Sequence, residues 1–196
     1  MLMRWLGGGP PEQRLLEFNR KNRSAQGGQS RLGWVQLLRL DTMCSYRIQG
    51  IPESLATAAR ESLRSPQYGH PAHVEVASGY GPCRLCLQTF QTGTEERLLF
   101  TYQPFIDPAA LPAPGPVFIH RSACERYDGP DLPEALRALP LALEGYGADG
   151  VILAQRRVGA EPFEGVLQDV FERAEVQYAH LRNAEAGCFI ARLERR

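Results

Sequence analysis

Apolar residues recur at every third and fourth position between 161 and 174. Phe163, Val166, Leu167, Val170, Phe171 and Ala174 make an unbroken stripe, with Pro162 in the first turn. That spacing predicts an amphipathic helix over 161–174, its stripe turned to a core. Ile51-Pro52 opens a second helix to about Arg64, with Leu55, Ala58, Ala59 and Leu63 on its apolar face. Elsewhere the period falls to two. "CSYRIQGI", "AHVEVA", "VFIHR", "PLALEGYG" and "GVILAQRRV" read as strands, and "DPAALPAPGP" as an irregular loop. "CRLCLQTF" and "RLLFTYQPF" flank "QTGTEE", the pattern of a hairpin with glycine in its loop. Asp131 and Glu134 in "DLPE" predict a capping box before a short helix. Strands outnumber helices and mostly pair locally. The fold class is therefore α+β: a mainly antiparallel sheet with two or three short helices in a single compact domain over 43–196.

Residues 1–42 do not share this pattern. "GGGPP" and "NRKNRSAQGGQS" are polar and glycine-rich, and "LGWVQLLRL" has no partner segment. Such stretches bury too little apolar surface to offset the entropy of ordering them. They read as a flexible extension, or as an over-extended reading frame with Met43 as the natural start. Charge divides at the same place. Seven Lys+Arg against three Asp+Glu leave 1–42 at +4, so the rest of a chain with 22 of each stands at −4. The only lysine is Lys21, which excludes a phosphate-loop or Schiff-base lysine from 43–196.

At zero net charge the chain gives no reason to expect nucleic acid as a partner. No apolar run reaches the ~20 residues of a membrane span, and the N-terminus lacks a secretory pattern. Five scattered cysteines favour a reducing cytoplasm over a disulfide framework. The oligomeric state is not legible.

The final hairpin carries the most chemistry. With "VQYAHLR" and "CFIARLER" joined by "NAEAG", Arg182 lies opposite Cys188 and His180 opposite Ile190. Period two then sets Tyr178, His180, Arg182, Cys188 and Arg192 on one face, with Ile190 as the apolar exception. Ala179, Leu181, Phe189, Ala191 and Leu193 take the other face and read as core. Two arginines beside a histidine suit a small anion, because guanidinium offers a planar fork to carboxylate or phosphate. Asn183 and Gly187 serve the turn, and Asn183 is also placed among the ligand-binding candidates.

Other candidates are weighed the same way. "CRLC" suggests thiol redox chemistry or half a zinc site. As a strand, however, it would point Cys83 and Cys86 to opposite faces about 10 Å apart at ~3.3 Å per residue. On that ground no metal site and no cofactor are expected. His120 ends a strand after a Pro/Gly loop, where site residues gather. His70 and His73, in "GHPAH", lack a matching carboxylate cluster.

"YRIQGI" (46–51), "GPCRLCL" (81–87), "GPVFIHR" (115–121), "YGADGVIL" (146–153) and "YAHLRNAEAGCFIARLER" (178–195) resemble a bacterial family of unknown function, DUF1203. The resemblance implies a compact cytosolic bacterial domain and no particular activity. The second cysteine of "CRLC" stands outside the likeness, which argues against an essential Cys86.

Three functional readings follow. The first is a domain binding a small anionic metabolite through Arg84, His120, His180, Arg182 and Asn183, with Arg192 in reach. The second is a thiol-dependent enzyme with Cys188 or Cys83 as nucleophile and His180 as base. The third is a structural or interaction module whose polar face is solvated.

Overall fold

The computed structural model describes residues 46–79, 81–105 and 113–196. The readings made for 1–42 and for Met43 as a start lie outside the described residues, as does most of the "DPAALPAPGP" loop. Nine strands and three helices are described. In chain order they are β1 (Tyr46–Gln49), α1 (Glu53–Ser62), β2 (His73–Val76), β3 (Glu96–Tyr102), β4 (Gly115–His120) and β5 (Asp128–Gly129). Then follow α2 (Glu134–Arg137), β6 (Leu141–Tyr146), β7 (Ile152–Val158), α3 (Phe163–Phe171), β8 (Tyr178–Asn183) and β9 (Phe189–Arg195). One antiparallel sheet runs β5-β1-β9-β8-β6-β7, and a second runs β2-β3-β4. The α+β class with mainly antiparallel pairing is the one that the alternation predicted.

The central strands β6, β8 and β9 of the six-stranded sheet are buried on both faces. On one side α3 lays down the stripe read from the sequence: Phe163, Val166, Leu167, Val170 and Phe171 are all buried. They pack with Leu141, Leu143, Ala179, Leu181, Ile190 and Leu193. The helix comes close at Gly145, where an added Cβ would lie 2.8 Å from Val170 Cγ1. The other side of the sheet faces a second core of Ile51, Ala56, Ala59, Leu85, Leu98, Phe100, Val117 and Ile119, to which β9 contributes Phe189.

Helix α1 forms where expected, but its buried face is Ala56 and Ala59, with Leu55 half-buried. Leu63 is 40% exposed, because it caps the helix in the left-handed region at φ 51°. The capping box at "DLPE" does not form: Pro133 is the N-cap of α2 and no side chain caps it.

Two further expectations are corrected. "CRLCLQTF" is not a strand, and β3 pairs with β2 and β4 instead. Its alternation misleads because the two leucines serve different cores: Leu85 packs in the second and Leu87 in the first. In the final hairpin His180 faces Arg192, not Ile190, and Arg182 faces Phe189, not Cys188. The register shifts between Leu181 and Arg182. The bulge turns Phe189 onto the His180 face and sends Ile190 to the α3 core.

Candidate metal centre

Residues 83–88 fold into a tight knuckle. Leu87 N–H donates to Cys83 C=O at 2.8 Å, and Cys83 N–H to Gln88 C=O at 2.8 Å. Closing so short a turn drives Leu87 to φ 60°, in the left-handed region that non-glycine residues seldom enter. The neighbouring backbone anchors the knuckle on three sides. Arg84 N–H donates to Phe118 C=O in β4, Ile51 N–H to Arg84 C=O and Tyr127 N–H to Leu85 C=O, each at 2.8 Å. Gly50 passes directly beneath, where an added Cβ would fall 2.0 Å from Leu85 O. Only glycine permits that approach.

The turn brings Cys83 and Cys86 to one side, not to opposite faces. The end of β4 and the segment after it deliver His120 and Cys124 to the same point. The three Sγ atoms and one imidazole nitrogen all lie within 4.8 Å of one another. Cys83 Sγ is 3.8 Å from Cys124 Sγ, and Cys86 Sγ is 3.4 Å from His120 Nδ1. Around a tetrahedral zinc, bonds of ~2.3 Å to sulfur and ~2.0 Å to nitrogen set two sulfurs ~3.8 Å apart and a sulfur and a nitrogen ~3.5 Å apart. The Cys83–Cys124 and Cys86–His120 pairs have those spacings.

The surroundings suit thiolates. His120 N–H donates to Cys83 Sγ at 3.4 Å, and Arg60 Nη2 to Cys124 Sγ at 3.2 Å. On the far side of the ring, His120 Nε2 lies 3.4 Å from Glu95 Oε2. A carboxylate there holds the imidazole with Nδ1 turned inward, as outer partners of metal-bound histidines commonly do. Phe90 packs on the ring at 4.6 Å between centroids. Hydrogen bonds with Cys124 and Cys86 hold the Cys83 thiol far below its ordinary range, while bonding to Cys124 and Cys83 pushes Cys86 up. His120 is pushed up to about 10 by Cys124 and Cys83.

A model of a family of proteins of unknown function, DUF1203, matches residues 80–195. The chain belongs to the DUF1203 family. The matched stretch of this DUF1203 chain contains all four cluster residues and every strand from β3 to β9. No curated protein and no solved structure matches the chain.

The residues nominated from the sequence do not come together as one polar face. His120 and Cys83 enter the cluster. Arg84 is buried and donates from Nε to Phe189 C=O at 2.7 Å, and burial pushes its guanidinium down to about 10. His180 is 0% exposed and ringed by Phe105, Tyr146, Tyr178 and Phe189, with centroids 4.8–5.3 Å away. Arg182 is buried with Glu144, their Nε and Oε2 2.5 Å apart. Arg192 pairs with Glu194 and lies over the Tyr178 ring. Cys188 is half-buried, and its Sγ–H donates to the Ala186 carbonyl at 3.7 Å. Asn183 does serve the turn, its Oδ1 accepting from Glu185 and Ala186 N–H. His70 and His73 are outside the cluster.

Cys86, which the sequence reading weighed and set aside, and Cys124, which it did not consider, complete the cluster. A signal existed: His120 and Cys124 stand in an H-x3-C spacing, the complement of the C-x2-C at 83–86.

Proposed function

We propose that this DUF1203 domain binds a zinc ion through Cys83, Cys86, His120 and Cys124, and that the ion ties the knuckle to the end of β4. One observation carries the reading. Two segments far apart in sequence deliver three sulfurs and one imidazole nitrogen within 4.8 Å of one another, two of the pairs at tetrahedral spacing. Soft thiolate ligands select zinc among abundant divalent ions, and Cys3His is a common composition of closed structural sites. Four protein ligands leave no open position for a substrate, so the ion holds the fold together and does not activate water.

The test is metal analysis of the full chain purified from zinc-supplemented medium. The expected result is one zinc per chain, lost in Cys83→Ser and in Cys124→Ser and kept in Cys188→Ser. Metal-free protein whose melting midpoint ignores both added zinc and a chelator would overturn the reading.

A thiol-dependent activity is the second reading, favoured by the Cys86–His120 contact and the half-exposed Cys86. It predicts a metal-free protein with one thiol that iodoacetamide alkylates far faster than Cys188.

A further inference from the structure

The β6–β7–β8 part of the large sheet carries a pocket of ≈ 440 Å³ that none of the four cluster residues lines. Its floor is Ala142. In the strand register Ala142 pairs with Arg157 on one side and with Arg182 on the other. Strands lie ~4.8 Å apart, so two arginine stems rise ~10 Å from each other across a single methyl group. The next row along the sheet supplies Glu144 and Gln155, and the hairpin turn supplies Asn183. The volume falls in the range of roughly 300–1,000 Å³ common to small-molecule sites.

The charges in this recess do not cancel. Glu144 is its one lining carboxylate, and that carboxylate is already committed. Arg182 Nε and Tyr146 Oη each lie 2.5 Å from Oε2, and Gln155 Nε2 donates to Oε1 at 3.1 Å. Arg157 is in no ion pair among the described residues, and Nη2 donates only to the Ala184 carbonyl, at 2.8 Å. Arg182 is 5% exposed, and its Nη2 has no hydrogen-bond partner among the described residues. Asn183 spends its oxygen on the turn, so its amide NH2 is the end left over. A buried guanidinium nitrogen without an acceptor is costly, and proteins leave such groups bare chiefly where something else completes them.

We propose that this recess binds a small metabolite bearing a carboxylate or phosphate, with its oxyanion over Ala142 between Arg157 and Arg182. The two sources share one chemistry: negatively charged oxygens that accept from forked guanidinium N–H groups. Glu144 holds the Arg182 fork in place and leaves a net charge of one positive unit for the ligand to neutralise. The small side chain at 142 makes the space.

The experiment is a melting series on the full chain with sodium phosphate in one arm and sodium succinate in the other, against sodium chloride at equal ionic strength. At least one arm is expected to raise the midpoint in proportion to the logarithm of ligand concentration above the dissociation constant, as binding to the native state alone requires. Arg157→Gln removes the unpaired charge and Ala142→Leu fills the recess. Each should raise the ligand concentration needed for a given midpoint shift about tenfold or more, the change in dissociation constant that ~1.4 kcal/mol makes. Arg157 is exposed, so its variant folds normally and decides the matter even if Ala142→Leu does not fold. A response absent from both arms, or equal in the parent and Arg157→Gln, would overturn the proposal.

Discussion

Arg60 Nη2 donates to Cys124 Sγ at 3.2 Å while Nε of the same guanidinium donates to the His120 carbonyl at 3.0 Å. One side chain of α1 thus holds both proposed ligands supplied by the end of β4 and the segment after it. Three thiolates around a dication leave one surplus negative charge, and Arg60 is the cation placed to offset it. Outer partners of this kind typically tune metal affinity by about 10–100-fold. Arg60→Gln is therefore expected to keep the fold and bind zinc at least tenfold more weakly. Competition with a colorimetric chelator measures this, and an unchanged affinity would show that the charge is offset elsewhere.

Gly50→Ala should disturb the Cys3His cluster without touching any of its four residues. Its Cβ would collide with Leu85 O and Arg84 O, both backbone atoms of the knuckle. Either the knuckle lifts, separating Cys83 and Cys86 from β4, or β1 moves and loses its register with β9. A drop of several degrees in the melting midpoint together with weaker zinc binding is expected. A midpoint equal to the parent's would mean that the knuckle yields freely.

The period-two alternation put Arg182 on a polar face set apart from the core. The structure reverses that expectation. Arg182 and Glu144 are both more than nine-tenths buried and meet at 2.5 Å. Taking away one partner of a buried pair strands the other charge and costs roughly 3–5 kcal/mol. Arg182→Ala should lose about that much by urea denaturation, and Glu144→Gln in the Arg182→Ala background should recover part of it. A loss below about 0.5 kcal/mol would place the pair in solvent, where exposed pairs count for little.

The contrast between α3 and the final hairpin explains what was legible. In α3 one face meets the core and the other meets water, so a single period states the burial, and all five of the large apolar residues in its stripe are where the period put them. Strands β8 and β9 are covered on both faces, and there polarity no longer reports exposure. His180 and Arg182 looked solvated, yet both lie inside. Ile190, the apolar exception on the supposed polar face, was the visible trace of the bulge. The knuckle was hidden for a different reason. Leu85 and Leu87 imitate a strand because two cores flank one turn, and no local pattern shows that β4 will close over it. The H-x3-C half of the cluster was readable, but it acquires meaning only once Cys83 and Cys86 share a side.

His180 makes the last prediction, a dependence of stability on pH. Its ring is fully buried among four aromatic rings, and neither nitrogen has a hydrogen-bond partner among the described residues. Burial, then the charges of Arg182 and Arg192, push its pKa down from 6.5 to about 2. Glu144, its cross-strand neighbour on β6, is already paired with Arg182 and does not restore the charged form. Tyr146 and Tyr178, packed on the ring, are pushed up by burial and stay neutral throughout this window. The sign follows directly. The folded state holds the imidazole neutral, whereas the unfolded chain takes up a proton below pH 6.5. Stability is therefore unaffected above pH 6.5 and is lost progressively as pH falls from there towards 2. Each unit of that window is worth ~1.36 kcal/mol, so pH 5.0 should cost about 2 kcal/mol relative to pH 7.5. Acid would also protonate the proposed metal ligands, so the parent's loss alone does not isolate His180. His180→Phe does. It keeps a flat ring in the aromatic cage, removes two unsatisfied nitrogens and cannot take up a proton. The difference in unfolding free energy between His180→Phe and the parent should grow by about 2 kcal/mol from pH 7.5 to pH 5.0. A difference that stays constant across that range would mean that His180 titrates as freely in the folded protein as in the unfolded chain, and that the cage is open to water.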